Sequence, residues 1–97
     1  MKQPDPVQRE REEAWIGDAV LALFARRWIL EKTGKMDAVR FTAMTANSFL
    51  ATIGQPTAVE ARIGRCYQEK GLEAAFAHIE AEILPRFLAL KAIRRRN

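Results

Sequence analysis

Cysteine, long apolar runs and strand-like patterns are scarce or absent in this chain of 97 residues. The single cysteine, Cys66, excludes an intrachain disulfide and a zinc site built from clustered cysteines, and it is typical of a reducing compartment. No run of 18 apolar residues is present, so the sequence predicts no membrane span. The N-terminus lacks the apolar segment of a secretion signal, and we therefore expect a cytoplasmic location.

Apolar and polar residues do not alternate anywhere along the chain, and neither an internal repeat nor a low-complexity linker is apparent. Apolar residues instead recur with helical spacing between proline and glycine breaks. The sequence predicts an all-α fold of about four helices in one domain, 1–97, with a core over about 5–87 and a basic extension over 88–97. The net charge of +4 and the pI near 9.7 favour a polyanionic partner.

Aspartate, proline and glycine mark where the helices are expected to begin and end. The four predicted helices cover about 6–32, 38–53, 57–70 and 72–93. Pro85 is expected to kink or divide the last of them. The inward positions predicted on the second, third and fourth helices are Val39, Met44, Phe49, Leu50, Ile53, Val59, Ile63, Cys66, Tyr67, Leu72, Ala75, Phe76, Ile79, Ile83 and Leu84.

The first helix carries an acid that needs an explanation. Between Ala14 and Ala25 every residue is apolar except Gly17 and Asp18, so apolar side chains surround this helix and we expect it to be central. A carboxylate in such a segment is unfavourable unless it is paired, hydrogen-bonded or bound to a cation. Asp18 is therefore a candidate functional residue.

A second acid, Glu60, also lies near a glycine within a helix. It precedes Gly64 by one turn, whereas Asp18 directly follows Gly17. Glycine inside a helix costs about 1 kcal/mol relative to alanine, so these glycines indicate a close crossing of the first and third helices. Such a crossing would bring Asp18 and Glu60 together, and a hard divalent cation would relieve their repulsion. The alternative is that each acid forms a separate salt bridge to an arginine, which is the simpler explanation for Glu60, whereas burial favours a functional site for Asp18.

Two segments of the chain carry a family signal: EAWIGDAVLALFARRWIL and TAVEARIGRCYQEKGLEAAFAHIEAEILPRF. The first resembles the signature helix of the ribonuclease III domain, and the second resembles the closing segment of that domain. The T-A-x-E-A step and the alanine four residues before Asp18 are most similar to the Mini-ribonuclease III branch. The resemblance covers about 5–87.

The resemblance implies a homodimeric endoribonuclease that cleaves double-stranded or structured RNA. It also implies that Asp18 and Glu60 hold Mg²⁺, with Mn²⁺ as an alternative, and that the metal polarises the scissile phosphate and activates a water molecule. The RNA would be recognised by its A-form shape and its 2′-hydroxyls. Dimer contacts are expected on the first helix at Trp15, Ala14 and Ala22, although Trp15 could equally be a core residue. A helix that is apolar on all sides also favours a two-fold partner.

The chain departs from the family in two respects. Full-length ribonuclease III has acids where this chain has Arg11, Ala14 and Thr57; the last two fit the Mini branch, whereas Arg11 could neutralise the site. The long basic segment of the Mini branch shrinks here to 52–56. Phosphate contacts are then expected from other basic residues, each of which is by itself more often a solvated surface residue: Arg26, Arg27, Lys32, Lys35, Arg40, Arg62, Arg65 and the terminal arginines.

Two alternatives to a nuclease stay open at this point. One is a ribonuclease III-fold protein that has lost catalysis and binds RNA or the ribosome, and the other is a helical dimerisation protein with no RNA role. Asp37 is best explained as a helix cap. Cys66 is expected to pack in the core rather than to form a nucleophilic pair with His78.

Overall fold

The computed structural model describes residues 5–96, with side chains described as far as Ile93. This part of the chain forms six α-helices and no strand, so the all-α prediction is confirmed. None of these helices is long and apolar enough to cross a membrane. The helices are α1 (Pro6–Thr33), α2 (Ala38–Thr45), α3 (Asn47–Leu50), α4 (Pro56–Lys70), α5 (Leu72–Glu82) and α6 (Leu84–Arg96).

The predicted caps start and stop the helices. The Asp5 side chain accepts a hydrogen bond from the Val7 amide at 3.1 Å, and Asp37 accepts one from the Arg40 amide at 2.9 Å. Each bond satisfies an amide that has no partner within its own helix. Gly34 ends α1 with a φ of 76°, a left-handed conformation that side chains other than glycine rarely adopt. The cap assigned to Asp37 is therefore confirmed.

Two of the four predicted helices are each divided. The division near Pro85 was predicted and is confirmed, whereas the break within 38–53 was not predicted. The predicted helix 38–53 breaks at Ala46, whose ψ of 142° is extended, and its second part ends at Leu50. The Thr45 hydroxyl donates to the Phe41 carbonyl at 2.9 Å, a local bond that competes with continued helix formation. The last predicted helix divides just before Pro85, because proline has no amide hydrogen with which to continue the helical ladder.

The core lies where α1 packs against α4, with α2 and α5 covering its flanks. Leu21, Leu50, Ile63 and Ile79 are its largest fully buried side chains. The prediction that Val39 and Tyr67 point inward is wrong, since they are 83% and 41% exposed. Val39 lies in the first turn of the short helix α2. Other predicted inward residues are only partly buried, namely Ile53, Cys66, Leu72, Phe76 and Leu84.

One face of α1 is not covered by the other residues that the structure describes. Trp15, Leu23 and Leu30 are 78%, 41% and 48% exposed. At 100° per residue these side chains lie within about 80° of one another around the helix. We call this open face the α1 stripe; its cover by a second copy, as the predicted dimer would require, stays a prediction.

Candidate carboxylate site at a helix crossing

Two glycines bring α1 and α4 into backbone contact. A Cβ atom on Gly17 would overlap the Glu60 carbonyl, and one on Gly64 would overlap the Glu13 carbonyl. No side chain larger than hydrogen fits at either position without separating the helices. Because Gly17 meets Glu60 and Gly64 meets Glu13, the helices run in opposite directions here. The predicted glycine crossing is confirmed.

The crossing brings Asp18 and Glu60 together, and we call these two residues the acid pair. Burial raises the pKa of Glu60 to about 7, with further contributions from a hydrogen bond to Asp18 and from the negative charge of that residue. A protonated Glu60 can donate this hydrogen bond, whereas two ionised carboxylates would repel each other. Near neutral pH the acid pair therefore gains or loses a proton readily.

The exposure of the two acids is not the one predicted from the sequence. Asp18 is exposed and Glu60 is half-buried, so the expectation that burial makes Asp18 unusual is wrong. The reason is rotational: Asp18 follows Gly17 by one residue and so lies about 100° away from the contact with α4. Among residues 5–93, whose side chains the structure describes, neither acid forms an ion pair with an arginine or lysine, and Arg11 is exposed and bonds to neither.

A second pair of charged residues lies at the other end of the same crossing. The Arg65 guanidinium donates to both carboxylate oxygens of Glu13, from Nε at 3.0 Å and from Nη2 at 3.1 Å. Glu13 is only 8% exposed, and the bond from Arg65 holds its pKa below the ordinary value. We call Glu13 and Arg65 the ion pair. Arg65, a candidate for RNA contact, is thus engaged within the protein.

A short internal repeat explains why the crossing has two similar ends, and sequence analysis missed it. The pattern E-A-x-I-G occurs in α1 from Glu13 to Gly17 and in α4 from Glu60 to Gly64. Each glycine lies against the carbonyl of the glutamate in the other copy. Each glutamate side chain then meets the residue that follows the opposite glycine. The statement that the chain has no internal repeat is wrong over these five residues.

The donor set of the acid pair suits a hard divalent cation. Carboxylate oxygens are the ligands that Mg²⁺ and Mn²⁺ favour, and Mg²⁺ in proteins commonly binds one or two carboxylates while water and substrate phosphates complete its shell. Among the described residues no group of three or more His, Cys, Asp or Glu side chains could hold a metal ion. The acid pair thus fits an ion that remains open to solvent, not one enclosed by protein.

The basic residues predicted to contact RNA lie in different surroundings. The Arg26 guanidinium lies 4.2 Å from the centre of the Phe41 ring, and that of Arg27 lies 5.4 Å from the centre of the Phe76 ring. Both arginines are exposed, so they can stack on an aromatic ring and still face solvent. The others are placed as follows: Arg40 is half-buried, Arg62 is exposed, and the side chains of the terminal arginines lie outside the described part of the chain.

The three residues expected at the dimer interface differ in their exposure. Trp15 is 78% exposed, which excludes its alternative role as a core tryptophan. Ala22 is half-buried, and Ala14 is buried within its own chain. Of the three, Trp15 offers by far the largest accessible surface to a partner.

Comparisons with known proteins neither support nor contradict the resemblance to ribonuclease III. No protein-family model, curated protein or solved structure matches the chain. The resemblance to ribonuclease III therefore stays a prediction, which rests on the two sequence segments quoted above.

Proposed function

We propose that this protein is a Mg²⁺-dependent endoribonuclease of the ribonuclease III type, acting on double-stranded or structured RNA. The observation that carries the proposal is the acid pair at the glycine crossing of α1 and α4. Paired carboxylates whose pKa is strongly perturbed are concentrated at functional sites. The two segments that resemble ribonuclease III supply one member each.

In this proposal the two acids have complementary roles. Asp18 presents an exposed carboxylate towards solvent, and the half-buried Glu60 supplies the second carboxylate from α4. Mg²⁺, or Mn²⁺ in its place, would supply Lewis-acid activation of the phosphodiester and of water when bound by these oxygens. Gly17 and Gly64 fix the distance between the helices, so the carboxylates stay together. Loss of the proton from Glu60 frees both carboxylates, and activity should therefore rise as the pH increases through about 7.

RNA contact would rest on basic residues outside the acid pair. Arg26, Arg27 and Arg62 are exposed and available to phosphates, whereas Arg65 is held by Glu13. Contacts of this kind recognise the backbone and weaken as the salt concentration rises. Substitution of Arg62 by glutamine should weaken RNA binding without changing the sequence preference.

The homodimer is part of the same proposal, and the α1 stripe supports it. Exposed apolar side chains that follow one face of a helix are typical of an interaction surface. A second copy related by a two-fold axis would cover Trp15, Leu23 and Leu30 with the same residues of the partner. Sedimentation should give a dimer at micromolar concentration for the native chain and a monomer for Trp15→Glu.

The direct test is cleavage of a double-stranded RNA in the presence of Mg²⁺. The native chain should cut the RNA, and Asp18→Asn and Glu60→Gln should each leave it intact. Asp37→Asn is the matched control, because asparagine also caps helices and Asp37 lies outside the acid pair. Intact RNA after incubation with a folded native dimer, or full cleavage by Asp18→Asn, would refute the enzymatic proposal.

A catalytically inactive RNA-binding or ribosome-associated protein is the second candidate. It is favoured by the small donor set, since the described residues contain no group of three metal-ligating side chains, and by the short 52–56 segment. Calorimetry separates the candidates: an enzyme should bind Mg²⁺ through Asp18, whereas an inactive binder should bind RNA without metal. The cytoplasmic location stays a prediction.

A further inference from the structure

A groove of about 700 Å³ lies between α2 and α3 on one side and α6 on the other. No residue of α1 or α4 lines it, so it is separate from the acid pair. Phe49 and Phe87 form part of its wall, with their rings in edge-to-face contact at 5.5 Å between centres. Val39 and Ile93, which also line the groove, are 83% and 57% exposed. The groove therefore offers apolar surface that the described residues of the chain leave uncovered.

The charge around this groove is mostly positive. Arg40 and Lys91 line it, and the Arg86 guanidinium donates to the hydroxyl of Thr52, another lining residue, at 3.4 Å. The sequences of α2, α3 and α6 contain no aspartate or glutamate. The one acid in the lining is Asp37, whose carboxylate accepts the Arg40 amide as the cap of α2. The groove thus combines an apolar wall with basic residues and lacks acids on the helices that form it.

We propose that this groove binds an acidic amphipathic helix of a partner protein. The apolar side chains of such a helix, at i, i+3, i+4 and i+7, would pack on Phe49, Phe87 and their apolar neighbours, and its acids would face Arg40 and Arg86. Electrostatic complementarity of this kind favours the right partner over others of similar shape.

Two other occupants fit the groove less well. RNA would satisfy the basic residues, but its sugar-phosphate backbone has no apolar side chains with which to cover Val39, Phe87 and Ile93. A second copy of the chain could present either the α1 stripe, which carries Arg26 between Leu23 and Leu30, or its own basic groove. Each would place positive charge against positive charge. An acidic helix avoids both conflicts.

The test uses a fluorescein-labelled peptide of about 14 residues, which gives about four helical turns, with leucine and phenylalanine on one face and glutamate on the other. Fluorescence anisotropy should report saturable binding to the full-length protein. A peptide of the same composition in scrambled order, and one with lysine in place of glutamate, should each bind about tenfold more weakly or worse.

Variants of the protein locate the binding surface. The double variant Val39→Glu/Ile93→Glu changes exposed residues and should weaken peptide binding about tenfold or more while leaving the unfolding transition in place. Met36→Glu is the matched control, because Met36 is 89% exposed and lies outside the groove. Arg40→Glu should weaken binding, and this effect should shrink at high salt.

Three outcomes would overturn the proposal. The first is binding of the scrambled peptide with the affinity of the amphipathic one. The second is unchanged peptide binding by the double variant. The third is displacement of the peptide by double-stranded RNA together with loss of RNA binding in the double variant, which would assign the groove to RNA.

Discussion

The acid pair and the ion pair occupy the two ends of one helix crossing. Both contain a glutamate, and they differ in the residue that faces it. At both ends a glutamate of the E-A-x-I-G pattern faces the residue that follows the opposite glycine. That residue is Asp18 at one end and Arg65 at the other. The same backbone contact therefore yields a neutralised ion pair at one end and a perturbed acid at the other. The repeated pattern sets the geometry, and the residue after it sets the chemistry.

The comparison implies opposite responses to pH at the two ends. Arg65 lowers the pKa of Glu13, so this glutamate stabilises the fold above its ordinary pKa and loses that contribution as the pH falls through the lowered value. The pKa of Glu60 is raised to about 7, so its contribution is fully present below the ordinary pKa and is lost as the pH rises through about 7. At neutral pH the ion pair therefore stabilises the fold, whereas ionisation of Glu60 in the acid pair destabilises it.

The largest expected loss of stability comes from substitutions that disrupt the glycine contact shared by both ends of the crossing. Gly17→Ala or Gly64→Ala would place a Cβ atom against backbone that cannot move aside, and each should destabilise the protein by about 3 kcal/mol or more. Chemical denaturation measures the change. Gly54→Ala is the control, since its Cβ would meet only the Val59 side chain at 3.4 Å, and we expect less than about 1 kcal/mol there. Equal effects at all three glycines would show that the crossing is not tight.

The next effect breaks the ion pair alone. Arg65→Gln leaves the buried Glu13 carboxylate without its cation and should cost about 2 kcal/mol at neutral pH, less than for a fully buried pair because Arg65 is half exposed. The loss should shrink at acidic pH, where Glu13 is protonated. Arg62→Gln, on the same helix but outside the ion pair, should change the free energy of unfolding by less than about 0.5 kcal/mol. Loss of equal size in both variants would contradict the role of the ion pair.

A third experiment converts the acid end into a copy of the other end. Asp18→Arg should place a guanidinium beside Glu60, lower the pKa of Glu60 from about 7 and stabilise the protein at about pH 8 by about 1 to 2 kcal/mol. Carboxyl NMR titration measures the pKa, and denaturation measures the stability. A pKa that remains near 7 in this variant would mean that burial alone determines it.

The smallest effect is the pH dependence of the native chain. Between about pH 5 and pH 8 the ionisation of Glu60 should lower the free energy of unfolding by about 1 kcal/mol, a modest value because this residue is only half-buried. The slope should be absent in Glu60→Gln. A native chain whose stability rises over this range would reverse the sign and contradict the account.

Local sequence signals predicted much of the fold, whereas they did not predict which side chains of different helices are in contact. Asp5, Asp37 and Gly34 act within a few residues of themselves, so their caps were predictable from sequence. The crossing was also predictable, because a glycine inside a helix needs a packing reason. The bond from Arg65 to Glu13 was not, since helical spacing gives no information about which side chain of another helix lies opposite.

The errors at the site have a similar cause. The apolar neighbours of Asp18 on α1 predicted that this residue is buried, whereas its side chain is exposed. For Glu60 a salt bridge to an arginine was the simpler expectation, yet burial is the largest cause of its raised pKa. The E-A-x-I-G repeat was readable in the sequence and, aligned on itself, would have paired each glutamate with the residue after the opposite glycine.

Isothermal titration of Mn²⁺ into the native chain at about pH 8 tests most directly whether the acid pair is a cation site. The account predicts binding of one ion per chain that weakens towards about pH 5.5, disappears in Asp18→Asn and Glu60→Gln, and persists in Glu13→Gln at the opposite end of the crossing. Binding that survives both substitutions in the acid pair, or that never occurs in the folded native chain, would contradict it.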